Sequence, residues 1–206
     1  MSLVKPEQAE VKNKMKNNRN GQAAILTNEE FSKIRNQIKT QKYKLLLDLA
    51  WYTGERWGAL VKLRVQDCYN TDGTPREYIN FPARIRKATP DGLRKTRQVP
   101  IHPVLGESIQ NYQPKQTDWL FPGRGGDKPM SSRWADTILR KAVSKAGLII
   151  KGISTHSTRR SFITKLHRNG TDLYTIKQIT GHQDFKSLER YVEIDSDRVK
   201  GAINAL

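Results

Sequence analysis

The residues that could do chemistry in this chain gather between Thr155 and Tyr191. His156 and Arg159 stand three apart with Arg160 beside them, so on a helix the first two project from one face about a turn apart. A guanidinium offers a planar fork of donors, and an imidazole adds one more or trades a proton. Such a pair suits a tetrahedral oxyanion. Further along, Gly181-His182 sets a second imidazole beside a residue with no side chain, and Tyr191 follows one short segment later. A tyrosine hydroxyl is a weak nucleophile until its proton is taken or its anion is stabilised, and nearby positive charge does the second. Packing is the competing explanation, because His-x-x-Arg recurs by chance and a tyrosine near a C-terminus usually fills a core.

Composition narrows the substrate. The 206 residues hold 37 Lys and Arg against 20 Asp and Glu, a formal charge of +17. That excess calls for a polyanionic partner, nucleic acid or an acidic membrane surface. No apolar run approaches bilayer-spanning length, and the N-terminus has no signal-peptide apolar segment, so no membrane role is expected. Cys68 is the single cysteine, which excludes an internal disulfide and cysteine-rich zinc modules and fits a reducing cytosol. A zinc hydrolase would need its histidines clustered, yet His102, His156, His167 and His182 include no helical His-x-x-x-His pair. His102 and His167 read as surface or packing residues.

The elements that must position these groups follow from pattern. Residues 1–24 read as a basic flexible tail that could lie along phosphates, and residues 25–206 as one domain. Thr27 with Glu30 predicts a capping box, and Phe31, Ile34 and Ile38 then repeat at helical spacing. A second helix is predicted from Gln41 to Thr53, apolar on more than one face and therefore deep in the core, ending at Gly54. Residues 76–101 read as strands around a Thr89-Pro90-Asp91-Gly92 turn. This hairpin carries Arg84, Arg86, Lys87, Arg94, Lys95 and Arg97, either as a charged solvated edge or as phosphate contacts. Pro103 to Tyr112 reads as a short helix. Ser131 or Ser132 should cap another that runs to Lys145, with Trp134, Ile138, Leu139 and Val143 as its buried stripe. A last amphipathic segment, Arg198 to Leu206, is too short to stand alone and must dock on something. The predicted class is α+β, mainly helical, with a small antiparallel sheet.

Two boxes in this order resemble the tyrosine recombinases, the phage integrase family. His156-Ser-Thr-Arg159-Arg160-Ser-Phe162, then Gly181-His182, then Tyr191 nine residues after His182, is similar to the family's second box. Thr53-Gly54-Glu55-Arg56-Trp57-Gly58-Ala59-Leu60 followed by Leu63-Arg64-Val65-Gln66-Asp67 resembles the first, which reads T-G-x-R-x-x-E-L and then L-x-W-x-D. An arginine straight after a glycine turn also sits where a helix N-terminus would favour an anion. One departure stands out: the family's acid three residues after the arginine is Ala59 here. Glu55 adjoins it in sequence, but on a helix it would project from another side, so it is not expected to take over. The family's hairpin lysine matches Lys87 best, with Lys95 as the alternative across a longer turn, and Val99-Pro100-Ile101 closes the far strand.

The resemblance implies a catalytic-domain fold and a site-specific recombinase that cuts and rejoins double-stranded DNA through a 3′-phosphotyrosine. Tyr191 would be the nucleophile, Arg56 and Arg159 the phosphate ligands, and Lys87 the general acid. His156 would help take the tyrosine proton, and His182 would bond the phosphate. Arg84, Arg86, Arg94, Lys95, Arg97 and Arg160 are the further DNA contacts. No metal or other cofactor is expected. The family context is a bacterial or phage cytoplasm, near the nucleoid, with a tetramer assembled on DNA. Most members add an N-terminal helical domain, so this chain reads as an excised catalytic domain or as a short form like the fimbrial phase-variation recombinases. A type IB topoisomerase-like strand relaxer and a DNA-binding regulator with impaired catalysis, supported by Ala59, are the rival readings.

Overall fold

Helix α1 (Asn28–Asn36) begins at the expected capping box. The Thr27 hydroxyl accepts from the Glu30 N–H, and the Glu30 carboxylate accepts from the Thr27 N–H. Its buried Phe31 stacks on Trp51 with ring centroids 4.3 Å apart, which joins it to α2 (Gln41–Thr53). The leucine-rich α2 lies in the core as its all-round apolar pattern predicts. Its buried Asp48 is paired with Arg35, which donates from Nε and Nη2 at 2.7 and 2.9 Å. In this computed structural model the described residues are 23–86, 88, 92–112, 114, 118–182, 184–189, 191, 200–201 and 203–204.

Strand β1 (Tyr78–Phe81) pairs antiparallel with β2 (Arg97–Pro100), setting Ile79 opposite Val99 and Phe81 opposite Arg97. Alternation turns all four of these residues inward. The strands are shorter than expected, because Pro82 leads straight into a 3-10 turn at Ala83–Ile85. Thr89, Pro90 and Asp91 of the expected turn, and Lys87, lie outside the described residues. Helix α4 (Pro103–Gln110) is capped by His102, whose Nδ1 accepts from the Val104 N–H at 3.2 Å while its ring stacks on Tyr52. His102 is thus a capping and packing residue, in keeping with its sequence reading.

Helix α5 (Ser132–Lys145) starts at N-cap Ser131. Of the expected stripe, Leu139 and Val143 are buried beside Ala135 and Ala142, Ile138 is half-buried against the core, and Trp134 is 46% exposed. Two alanines on the inward face allow close approach, and Trp134, a step around the helix, is left at the rim. There its indole donates to the Tyr43 hydroxyl at 3.2 Å.

The chain divides into two compact units, Met1–Phe162 and Ile163–Leu206, and α6 (Thr155–Arg168) runs through the boundary. The first unit contains the main apolar cluster, from Ala24 to Ile153, with the two-stranded sheet on it. The second continues through α7 (Leu173–Thr180) and α8 (Lys186–Glu189), with Ile163, Ile176 and Leu188 buried. Of the segment from Arg198 onward, Lys200, Gly201, Ile203 and Asn204 are helical and Ile203 is exposed; the rest lies outside the described residues. The architecture is the mainly helical α+β class with a small antiparallel sheet.

Candidate active site

In the first unit, the candidate residues gather around the turn that ends α2. Gly54 takes the left-handed conformation at φ 60°. A Cβ there would stand 2.4 Å from a Phe162 ring carbon, so no other residue fits. Glu55 and Arg56 then run into α3 (Trp57–Leu60), with Arg56 as an extended N-cap at φ −67°, ψ 135°. Arg56 does sit at a helix start, but four residues supply little dipole for an anion.

Helix α6 brings the second box to the same place. Arg159 is 3% exposed, and its Nη1 donates to the Gly54 carbonyl at 2.8 Å. The Trp57 indole donates to the Thr158 hydroxyl at 3.1 Å, and the Leu26 N–H donates to the Ser161 hydroxyl at 2.7 Å. The start of α6 is therefore fastened to the first box and to the chain before α1. His156, one turn before Arg159, is exposed.

Glu55 departs from expectation. It is 1% exposed and lies among the arginines. One carboxylate oxygen accepts from the Arg56 backbone N–H at 2.8 Å; the other accepts from Arg97 Nη2 at 2.7 Å and faces Arg86 Nε at 3.7 Å. Burial alone would push this carboxyl up, but the charges of Arg97, Arg159 and Arg86, with the Arg56 N–H, outweigh it and hold it below its ordinary value. Burial pushes the Arg97 guanidinium down; Glu55 opposes that, while Arg86 and Arg56 add to it. Arg97 and Arg86 thus share one carboxylate, and Arg159 is bonded to the residue just before it. The helical-phase argument missed Glu55 because residues 54–56 are not helical. The available signal was its position between a helix-ending glycine and an N-cap.

The expected DNA contacts divide by burial. Arg97 is 7% exposed and lies over the Phe81 ring at 4.8 Å. Arg160 is equally buried, and its Nη1 donates to the Ala23 carbonyl at 3.0 Å. Arg86 Nη1 donates to the Lys95 carbonyl and Arg94 Nη1 to the Arg84 carbonyl, which braces the basic connection between the strands. Arg84, Arg94 and Lys95 stay on the surface, with Arg84 Nη2 3.5 Å from buried Asp67.

The second unit holds the other pair. Asp172 caps α7 by accepting from the Thr175 N–H, and Gly181 ends it in the left-handed conformation at φ 67°. The Thr180 hydroxyl donates to the Ile176 carbonyl and also lies 2.6 Å from His182 Nδ1. The Tyr191 ring lies 5.9 Å from the His182 ring, centroid to centroid. Its backbone is tied at both ends, N–H to the Leu188 carbonyl at 2.8 Å and C=O to the Thr164 hydroxyl at 3.3 Å.

Among the described residues, no three His, Cys, Asp or Glu side chains gather where they could share a metal ion, so the zinc reading has no ligand set there. None of the described helices is long and apolar enough to cross a membrane.

Known proteins resemble this chain in sequence and fold. The tyrosine recombinase XerC of Halalkalibacterium halodurans is 32% identical over 121 residues, 52% of this chain and 39% of that protein. XerA of Pyrococcus furiosus is 27% identical over 185 residues, covering 86% of this chain and 60% of its own length. The chain thus spans about half the length of such relatives. The XerH recombinase solved on its difH substrate before cleavage has the same fold, with a TM-score of 0.66 at 23% identity, over 87% of this chain and 53% of that one. Residues 24–198 match the phage integrase family, and the chain belongs to it.

Proposed function

We propose that this chain cuts and rejoins double-stranded DNA at a specific site through a covalent 3′-phosphotyrosine at Tyr191. The Tyr191 oxygen attacks a backbone phosphorus, the bond to the 5′-oxygen breaks, and the 5′-hydroxyl leaves. His156 helps accept the tyrosine proton, and Lys87, or Lys95 across the long connection, gives the leaving oxygen its own. Arg56 and Arg159 take the non-bridging oxygens, and His182 adds a donor. Attack by a 5′-hydroxyl on the phosphotyrosine reverses the step, so the energy of the phosphodiester is conserved. Several copies acting together on DNA, four for a pair of sites, complete the exchange.

The observation that carries this reading is the arginine cluster fixed around Gly54 and Glu55, in a chain that keeps the family's His182-to-Tyr191 spacing. Preorganised cations of this kind suit the charge that grows on a pentacoordinate phosphorus. XerH, a relative in fold, was solved on a DNA substrate, which supports DNA as the partner here. The test starts from duplexes that the chain retains from a random-sequence library, remade with a nick beside each candidate phosphate. Wild type should leave a denaturant-resistant protein–DNA adduct and Tyr191→Phe none, with little change in binding. Tight binding without an adduct would favour the regulator, and relaxation of plasmids lacking the selected site would favour the topoisomerase-like enzyme.

A further inference from the structure

We propose that Glu55 is the positioning acid of this site, standing in for the carboxylate that Ala59 lacks. The inference rests on the recombinase reading above. Ala59 is 5% exposed, with only a methyl group to offer, so position 59 can neutralise nothing. The neighbouring turn does so instead. Two consecutive residues hold the cations: the Gly54 carbonyl takes Arg159, and the Glu55 carboxylate takes Arg97 and faces Arg86. Arg97 Nε and Nη1 have no hydrogen-bond partner among the described residues, so its one carboxylate contact is with Glu55. Guanidinium groups this close repel one another in a buried setting, and a single carboxylate at their centre is what lets them remain together.

Backbone geometry explains the substitution of one position for another. Gly54 is left-handed and Arg56 is extended, so the segment between α2 and α3 follows no helical phase. Side chains alternate along extended backbone. Arg56 is half-buried and Glu55 fully buried, its carboxylate against Arg97 and Arg86. Among the described residues the Glu55 carboxylate meets Arg97, Arg86 and the Arg56 N–H, so its part is to fix their placement rather than to meet the phosphate.

The test uses the full chain and the nicked duplexes described above, in single turnover at saturating protein. Glu55→Gln should slow adduct formation roughly 10- to 100-fold, the range for losing a partner that orients a ligating group. Its dissociation constant for the same duplex should change less than about threefold, because surface cations carry most of the affinity. In an Arg97→Lys background, the same substitution should add less than about threefold, since Glu55 acts through the guanidinium that it bonds. A purely structural role would instead multiply the two losses and weaken binding in parallel. Should Glu55→Gln not fold, Glu55→Asp keeps the charge but is one methylene shorter, and it too should slow cleavage at unchanged affinity. A wild-type rate in whichever of these folds overturns the proposal while the recombinase reading stands. Absence of an adduct from the wild type overturns both.

Discussion

Around Glu55, each cation is tied to something rigid. Arg159 is bonded to the Gly54 carbonyl, Arg97 to a buried carboxylate and over a phenylalanine ring, and Arg86 to a strand-connection carbonyl. Around Tyr191 the supports among the described residues are local, and they include two backbone contacts, the four-residue α8 and the Thr180 hydroxyl at His182. On the proposed mechanism the contrast is functional. Charges that stabilise a transition state act best when they need not reorganise, so they belong in a core. A nucleophile that must reach a phosphate, stay attached to it and release it is served by a segment held through local contacts.

Breaking the buried half should have the largest effect. Arg159→Ala removes a phosphate ligand and leaves the Gly54 carbonyl without that donor. Adduct formation should fall roughly 10²- to 10³-fold, and denaturant unfolding should show a stability loss of about 1–3 kcal/mol. An unchanged stability would mean that this arginine is less embedded than its contacts indicate.

The support beneath that arginine can be tested without touching a charge. Gly54→Ala meets both a left-handed backbone and the Phe162 ring, whereas Gly147→Ala meets the same kind of backbone, at φ 73°, in open space. The left-handed conformation alone costs about 1–2 kcal/mol. Gly147→Ala should stop there, and Gly54→Ala should exceed it measurably in urea unfolding. Equal losses would show that the close approach of the two boxes is not a constraint.

On the Tyr191 side, one local bond should matter modestly. Thr180→Val removes the hydroxyl that holds His182 Nδ1, worth about 1 kcal/mol, or about fivefold in rate. Cleavage should slow by that order with DNA affinity preserved. A loss as large as that for Arg159→Ala would erase the contrast between the two regions.

The smallest effect is a pH dependence. The folded-state Glu55 carboxyl lies below its ordinary value, so its stabilisation is present above the unfolded value, about 4.3, and is lost as pH falls through the folded one. The stability gap between wild type and Glu55→Gln should therefore narrow on acidification below about pH 4. A gap constant down to pH 2 would mean that the carboxylate is not exchanging charge with the arginines.

Much of this was legible before any coordinates. The capping box at Thr27, the buried α2, the glycine stops at Gly54 and Gly181, and the ordered boxes with their spacing are local signals. Each depends on a few neighbouring residues whose physics does not wait for the fold. The family, and with it the candidate arginines, histidines and tyrosine, followed from those residues alone. Long-range packing decided the rest. Trp134 went outward because two alanines let α5 seat closely, and the predicted strand beyond Phe81 gave way to a turn after Pro82. Arg97 and Arg160, indistinguishable by type from the exposed Arg84 and Arg94, were drawn into the interior by a carboxylate and a carbonyl far away in sequence. Which carboxylate would serve the arginines was likewise a tertiary outcome. Helical spacing turned Glu55 away, but the glycine before it and the N-cap after it release it from that spacing, and burial between the Arg97 and Arg86 guanidinium groups makes it the charge that the site is built around.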